Sequence, residues 1–202
     1  MAHASAFGVA LPHRAVDRLS GELLARYAVR AEELGFGDLW VTENVVDRNF
    51  CLAPALALGH AAAVTERIRL GVAVVVLPVH HPIDVADAFG TLQNLSGGRA
   101  ILGVGLGRPH HYEAFGVPVE RRVTRFAESV RAVRALWRDP VADFRGELVE
   151  LDGIALSSRP AAPPPIWFGG GTAAALRRVA RSADGWIGSG GGESVARSAA
   201  TS

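Results

Sequence analysis

Apolar residues recur along the chain in two alternating rhythms. Short, nearly continuous apolar runs at Phe7–Leu11, Asp38–Thr42, Ile68–Leu77, Ala100–Gly107, Ile166–Phe168 and Gly185–Gly188 predict strands buried on both faces of a parallel sheet. Between them, three- and four-residue spacing predicts helices over Gly21–Leu34, Ala53–Val64, Pro82–Leu95, Val119–Trp137 and about Thr172–Ala183. Leu24, Ala28 and Ala31 lie on the stripe of the first helix, and Val123, Phe126, Val130, Val133 and Trp137 on that of the fourth. Local chemistry marks the ends: Ser20 suits an N-cap, Gly35 a left-handed C-terminal stop, and Pro54 a first helical turn. The stretch Arg138–Pro165, with Pro140, Gly146, Gly153 and four prolines from Pro160 to Pro165, breaks the rhythm and predicts an excursion with a small hairpin around Phe144–Leu151. Residues Glu193–Ser202 could start a sixth helix.

Six strand–helix repeats with short links imply a right-handed parallel α/β architecture in one domain, residues 1–202. An open doubly wound sheet and a (β/α)8 barrel both fit that rhythm. A complete barrel takes about 250 residues and eight strands, so this chain is two units short of one. Three strands, at Ile68–Leu77, Ala100–Gly107 and Ile166–Gly171, run straight into glycine-marked loops. Glycine at a strand tip lets backbone or a flat ligand come close, and both architectures gather ligands at that carboxyl end.

Composition narrows the function classes. A net charge of +1 gives no reason to invoke nucleic acid or an anionic membrane, and all 21 basic residues are arginine. The single Cys51 excludes an intrachain disulfide and suits a reducing compartment. No charged segment precedes the first apolar run and no apolar span reaches membrane length, so the expected location is the cytoplasm. Two histidine pairs, His80-His81 and His110-His111, have no cysteine or carboxylate at metal-ligand spacing, and no metal site is expected.

The motifs TERIRLG, HHP, LSGGR and LGVGLG, in that order between Thr65 and Gly107, resemble the bacterial luciferase-like family of flavin- and deazaflavin-dependent oxidoreductases. The later segment PPPIWFGGGTAAALRRVARSADGWIGSG is similar to the family's fifth and sixth repeats, and the likeness runs from Phe7 to about Glu193. The resemblance implies a TIM-type (β/α)8 barrel of which only about six βα units are present, strands seven and eight being missing. It further implies FMN or coenzyme F420 at the strand carboxyl ends, a small organic substrate, and a homodimer. By position, Ala73-Val74 matches a non-prolyl cis peptide that forms a bulge against the cofactor ring, and Leu106-Gly107-Arg108 a loop bordering it. Gly169-Gly170-Gly171-Thr172 and Ser189-Gly190 match loops whose amides receive the phosphate, with Arg177 or Arg108 as charge partners.

Two departures bear on catalysis. Many relatives carry Glu-His at the end of strand two, where this chain has Glu43-Asn44; asparagine hydrogen-bonds but does not shuttle a proton near neutral pH. Sugar-phosphate dehydrogenases of the family place an acid where Arg108 stands, so that reaction is not expected. Asn44, His110 and His111 are the residues expected to face substrate, while His80-His81 is expected to pack or to cap the third helix. Glu43 reads equally as an acid ordering the ring pocket or as a helix-cap partner. The expected function is an FMN- or F420-dependent oxidoreductase, by monooxygenation or hydride transfer; the alternative is a noncatalytic flavin-binding protein or a truncated inactive paralogue.

Overall fold

The structure is a computed structural model describing residues 7–15 and 18–188. In chain order the elements are β1 (Gly8–Ala10), β2 (Arg14–Ala15), α1 (Gly21–Glu33), β3 (Asp38–Val41), β4 (Phe50–Cys51), α2 (Pro54–Ala62), β5 (Arg69–Val72), β6 (Val75–Val76), a 3-10 turn (Leu77–Val79) and α3 (Pro82–Leu95). There follow β7 (Ala100–Gly105), α4 (Pro109–Phe115), α5 (Arg122–Arg138), β8 (Ala142–Arg145), β9 (Glu150–Ile154), β10 (Ile166–Gly169), α6 (Ala173–Ser182) and β11 (Gly185–Ile187). The main sheet runs β1-β3-β5-β7-β10-β11, with β6 also on β7, and every pairing in it is parallel. Each strand therefore lies beside the next one along the chain, as short right-handed crossovers require. Among the described residues, no helix is long and apolar enough to cross a membrane.

Alternation along each strand sorts side chains between two faces. Leu39, Val41, Leu70, Val72, Leu102, Val104, Ile166 and Phe168 point outward into one core with Leu24, Ala28, Leu58, Phe89, Val133, Leu136 and Trp137. The inner face carries the alternate positions. There the Trp40 indole covers Gly8 and Gly71, where an added Cβ would sit 2.7 and 2.3 Å from ring atoms. Trp167 covers Gly185 in the same way, at 2.5 Å. The two indoles meet at 5.4 Å between centroids, although β3 and β10 lie three strand positions apart, about 14 Å on a flat sheet. The sheet is therefore curled around them. At the amino ends of the same strands, Arg69 clamps Asp38 through Nε and Nη2 at 2.6 and 3.0 Å and lies over the Trp167 ring.

Several residues of the sequence motifs act in this scaffold. Arg99, from the LSGGR turn, donates to the carbonyls of Ala62, Thr65, Ile68 and Ser96, closing the end of α2 against β7. Glu128 is buried on α5 and accepts the amides of Glu147, Leu148 and Val149, which pins the β8–β9 hairpin to the barrel. Burial raises its carboxyl pKa, but the three amide donors outweigh that and hold it below the usual range.

The predicted elements are present, with differences that have physical causes. The long apolar run Ile68–Leu77 divides into β5 and β6 around a cis peptide between Ala73 and Val74. Ahead of the fourth predicted helix the chain makes an extra short helix, α4, opened by Pro109 and closed by Gly116 at φ 65°. The predicted hairpin extends further, to Ala142–Arg145 and Glu150–Ile154. A two-residue ladder between β2 and β4 was not predicted, because segments that short carry no periodic signal.

Candidate functional site

The glycine-rich strand ends converge on one side chain. Ala73 donates its amide to the Val41 carbonyl at 2.7 Å, and Val74 follows on the inner face. Its methyls lie over Gly105 and Gly169, where an added Cβ would come within 2.6 and 2.8 Å. Gly107 is at φ 67° with Val76 2.2 Å from a Cβ built there, so a side chain is excluded by both backbone and space. Val74 thus joins Gly105 of β7 and Gly169 of β10 in one patch, with Gly107 further along the same strand end under Val76. Leu106 is half-buried beside it, and its carbonyl accepts the Tyr112 hydroxyl at 2.6 Å. Arg108 is exposed at the start of α4.

Glu43, ambiguous in the sequence, has a definite place. Its carboxylate accepts the Val76 amide at 2.7 Å and His80 Nε2 at 2.9 Å, clasping the segment that follows Val74. His80 also packs edge-on against Phe115, and His81 caps α3 by accepting the Ile83 amide. The next residue, Asn44, donates from Nδ2 to Thr42 Oγ1 at 2.7 Å. Thr42 in turn contacts His13, a buried residue that sequence reasoning missed: the Thr42 amide and Oγ1 lie 2.9 and 3.0 Å from His13 Nε2, and His13 Nδ1 lies 2.8 Å from the Leu11 carbonyl. A lone histidine after Pro12 carries no pattern, and its partner arrives only through the β1–β3 pairing.

The second histidine pair is divided in role. His111 Nδ1 accepts the Arg108 amide at 2.9 Å, anchoring the first turn of α4, and its ring lies 4.0 Å from that of the exposed His110. Burial pushes the His111 pKa below the usual imidazole value, and the neighbouring His110 adds to the shift. With Nδ1 accepting an amide, the neutral form of the His111 ring carries its proton on Nε2.

At the end of β10, Gly170 takes φ 142°, and an added Cβ would lie 2.7 Å from Ala175. Its amide and carbonyl are used by the Ile187 carbonyl and Trp186 Nε1. Thr172 is the N-cap of α6, accepting the Ala175 amide at 3.2 Å, while Gly171 and Arg177 are exposed. The amides of Ala173 and Ala174, unlike that of Ala175, have no acceptor within α6, which suits an anion. Ser189 and Gly190, expected to contribute beside them, lie outside the described residues, as does the start of a sixth helix at Glu193–Ser202. A rim of glycines topped by the small, apolar Val74 beside a helix N-terminus fits a flat ring with an anionic tail. Among the described residues no group of three or more His, Cys, Asp or Glu side chains could hold a metal ion.

Strand order, crossovers and a ligand rim at the carboxyl ends together define part of a TIM-type α/β barrel. Comparison with known proteins gives the family: the luciferase-like monooxygenase family matches residues 6–201, and the chain belongs to it. A similar curated protein is the F420-dependent glucose-6-phosphate dehydrogenase of Kineococcus radiotolerans, 35% identical over 81% of this chain and 51% of its own length. Among solved structures, the monooxygenase RslO1 from Streptomyces bottropensis superposes with a TM-score of 0.75 at 27% identity, over 87% of this chain and 56% of that one. An F420-dependent secondary alcohol dehydrogenase in complex with an F420-acetone adduct shares the fold, with a TM-score of 0.78 at 22% identity, over 90% and 57%. The chain spans about half the length of the curated relatives it matches.

Proposed function

We propose that this chain belongs to an oxidoreductase that binds FMN or coenzyme F420 at the strand carboxyl ends and acts on a small organic molecule. The carrying observation is the rim itself, where Val74 lies across Gly105 and Gly169 and β10 leads into the N-terminus of α6. In this reading Ala73 and Val74 support the ring, and Leu106, Gly107 and Arg108 border it. Gly171 and Thr172 take the phosphate with Ser189 and Gly190, while Gly169 and Gly170 shape the turn that leads there, the Gly170 amide being spent on the Ile187 carbonyl. The cofactor supplies the hydride or oxygen chemistry; the protein supplies orientation and electrostatics. Asn44, His110 and His111 face the substrate, and of these the neutral His111 offers a donor at Nε2 while Asn44 offers no exchangeable charge. A curated relative named for F420 and a solved structure, 19% identical, titled as a complex with FMN support this cofactor pair. The family resemblance supports a homodimer, and the lone cysteine supports the cytoplasm.

A second reading, a flavin-binding protein without turnover, is favoured by Asn44 and Arg108 standing where relatives carry proton-transferring groups. Absorbance titration of the purified chain with FMN and with F420, followed by oxygen uptake and substrate-linked bleaching, separates them. Saturable binding of either cofactor is expected. Binding without turnover supports the second reading, and indifference to both cofactors overturns both.

A further inference from the structure

The hydrogen bonds behind Asn44 have their direction fixed from both ends. A backbone amide only donates, so His13 Nε2, which receives the Thr42 amide, is an acceptor. The ring proton is then on Nδ1, where it meets the Leu11 carbonyl, a group that only accepts. Thr42 Oγ1, 3.0 Å from the same Nε2 lone pair, must place its hydrogen toward it. That leaves Thr42 Oγ1 only lone pairs to offer Asn44, so the amide must present Nδ2 to it, as observed at 2.7 Å. Asn44 Oδ1 is turned away, and among the described residues it accepts no hydrogen bond. Glu43, held by the Val76 amide and His80, fixes the backbone between these two residues from the other side.

We infer that His13 is a positioning residue: acting through Thr42, it makes Asn44 present a hydrogen-bond acceptor to the ligand rim. The inference rests on the proposed cofactor reading and sharpens it. Reduction adds ring N–H donors to the one that the oxidised ring already carries, so an acceptor held beside the ring has more donors to meet in the reduced state. Asn44 therefore favours the reduced ring, and His13 sets that preference without touching it.

The test has two parts. Nitrogen NMR of the histidines in the unliganded protein reads the tautomer directly: His13 protonated on Nδ1 is expected, and a proton on Nε2 overturns the inference. Affinities for oxidised and reduced FMN are then measured under anaerobic conditions for the wild type, Thr42→Val, Thr42→Ser, His13→Leu and His13→Gln. Thr42→Val keeps the shape and the backbone amide but frees the Asn44 amide to turn. A wild-type preference for reduced FMN that falls about tenfold in Thr42→Val and His13→Leu supports the inference, as does its retention in Thr42→Ser and His13→Gln. Tenfold corresponds to about 30 mV in the two-electron potential of the bound cofactor. An unchanged ratio in Thr42→Val, with FMN still bound, overturns the inference and leaves the cofactor reading standing. If neither FMN nor F420 binds the wild type, the cofactor reading fails and this inference with it.

Discussion

The two ends of the curled sheet are built on opposite principles. At the strand amino ends, large side chains fill the inner face and satisfy one another: Trp40 lies on Gly8 and Gly71, Trp167 on Gly185, and Arg69 takes both oxygens of Asp38. At the carboxyl ends the inner face is lined by small residues under Val74, and polar groups keep spare capacity, as Asn44 Oδ1 and the first amides of α6 do. Glycine serves both ends for different reasons. Below, it makes room for a broad indole that fills the hollow; above, it makes room for the small isopropyl group of Val74. Glycine content alone therefore does not locate a binding site; what covers each glycine does.

Adding one methyl group at each end tests that contrast. The largest effect is expected from Gly103→Ala, because the new Cβ would lie 2.0 Å from the Val72 carbonyl oxygen, which is backbone, and 2.6 Å from Ile187. A loss of about 3 kcal/mol in urea unfolding is expected, at the upper end for overpacking. Gly169→Ala meets only a Val74 methyl, so its stability cost should be about 1 kcal/mol. Its cofactor affinity should nevertheless fall about tenfold, equivalent to ~1.4 kcal/mol. If Gly169→Ala proved as destabilising as Gly103→Ala, the rim would be a packed core like the floor.

The smallest effect is electrostatic. Burial disfavours the charged form of His111 and sets its folded pKa below the unfolded value of about 6.5. Below that pH the unfolded chain takes up the proton first, and stability contributed by this residue is lost as pH falls through the folded pKa. Denaturation curves at a series of pH values should show that slope in the wild type and a shallower one in His111→Gln. An unaltered slope would mean that other groups cause it.

How much of this was legible in the sequence follows from the range of each interaction. The α3 boundaries, Pro82 and Leu95, were readable because proline, the His81 cap and the Ser96-Gly97-Gly98 stop are local. The division of Ile68–Leu77 was not readable from the residues themselves, since an alanine among valines has uniform strand character; it followed from the family resemblance. Glu43 stayed ambiguous because Val76 and His80 lie 33 and 37 residues away along the chain. His13 escaped notice for the same reason, with Thr42 29 residues distant. The rim glycines were readable as strand tips, but Val74 as the common cover of Gly105 and Gly169 was not.

Two of the four tryptophans, Trp40 and Trp167, meet at a tilt of 43° in the hollow of the sheet. That placement gives the molecule a native optical gauge. Ultraviolet-excited indole emission overlaps the absorption of yellow isoalloxazine dyes, so occupancy of the rim would dim this pair without any label being attached.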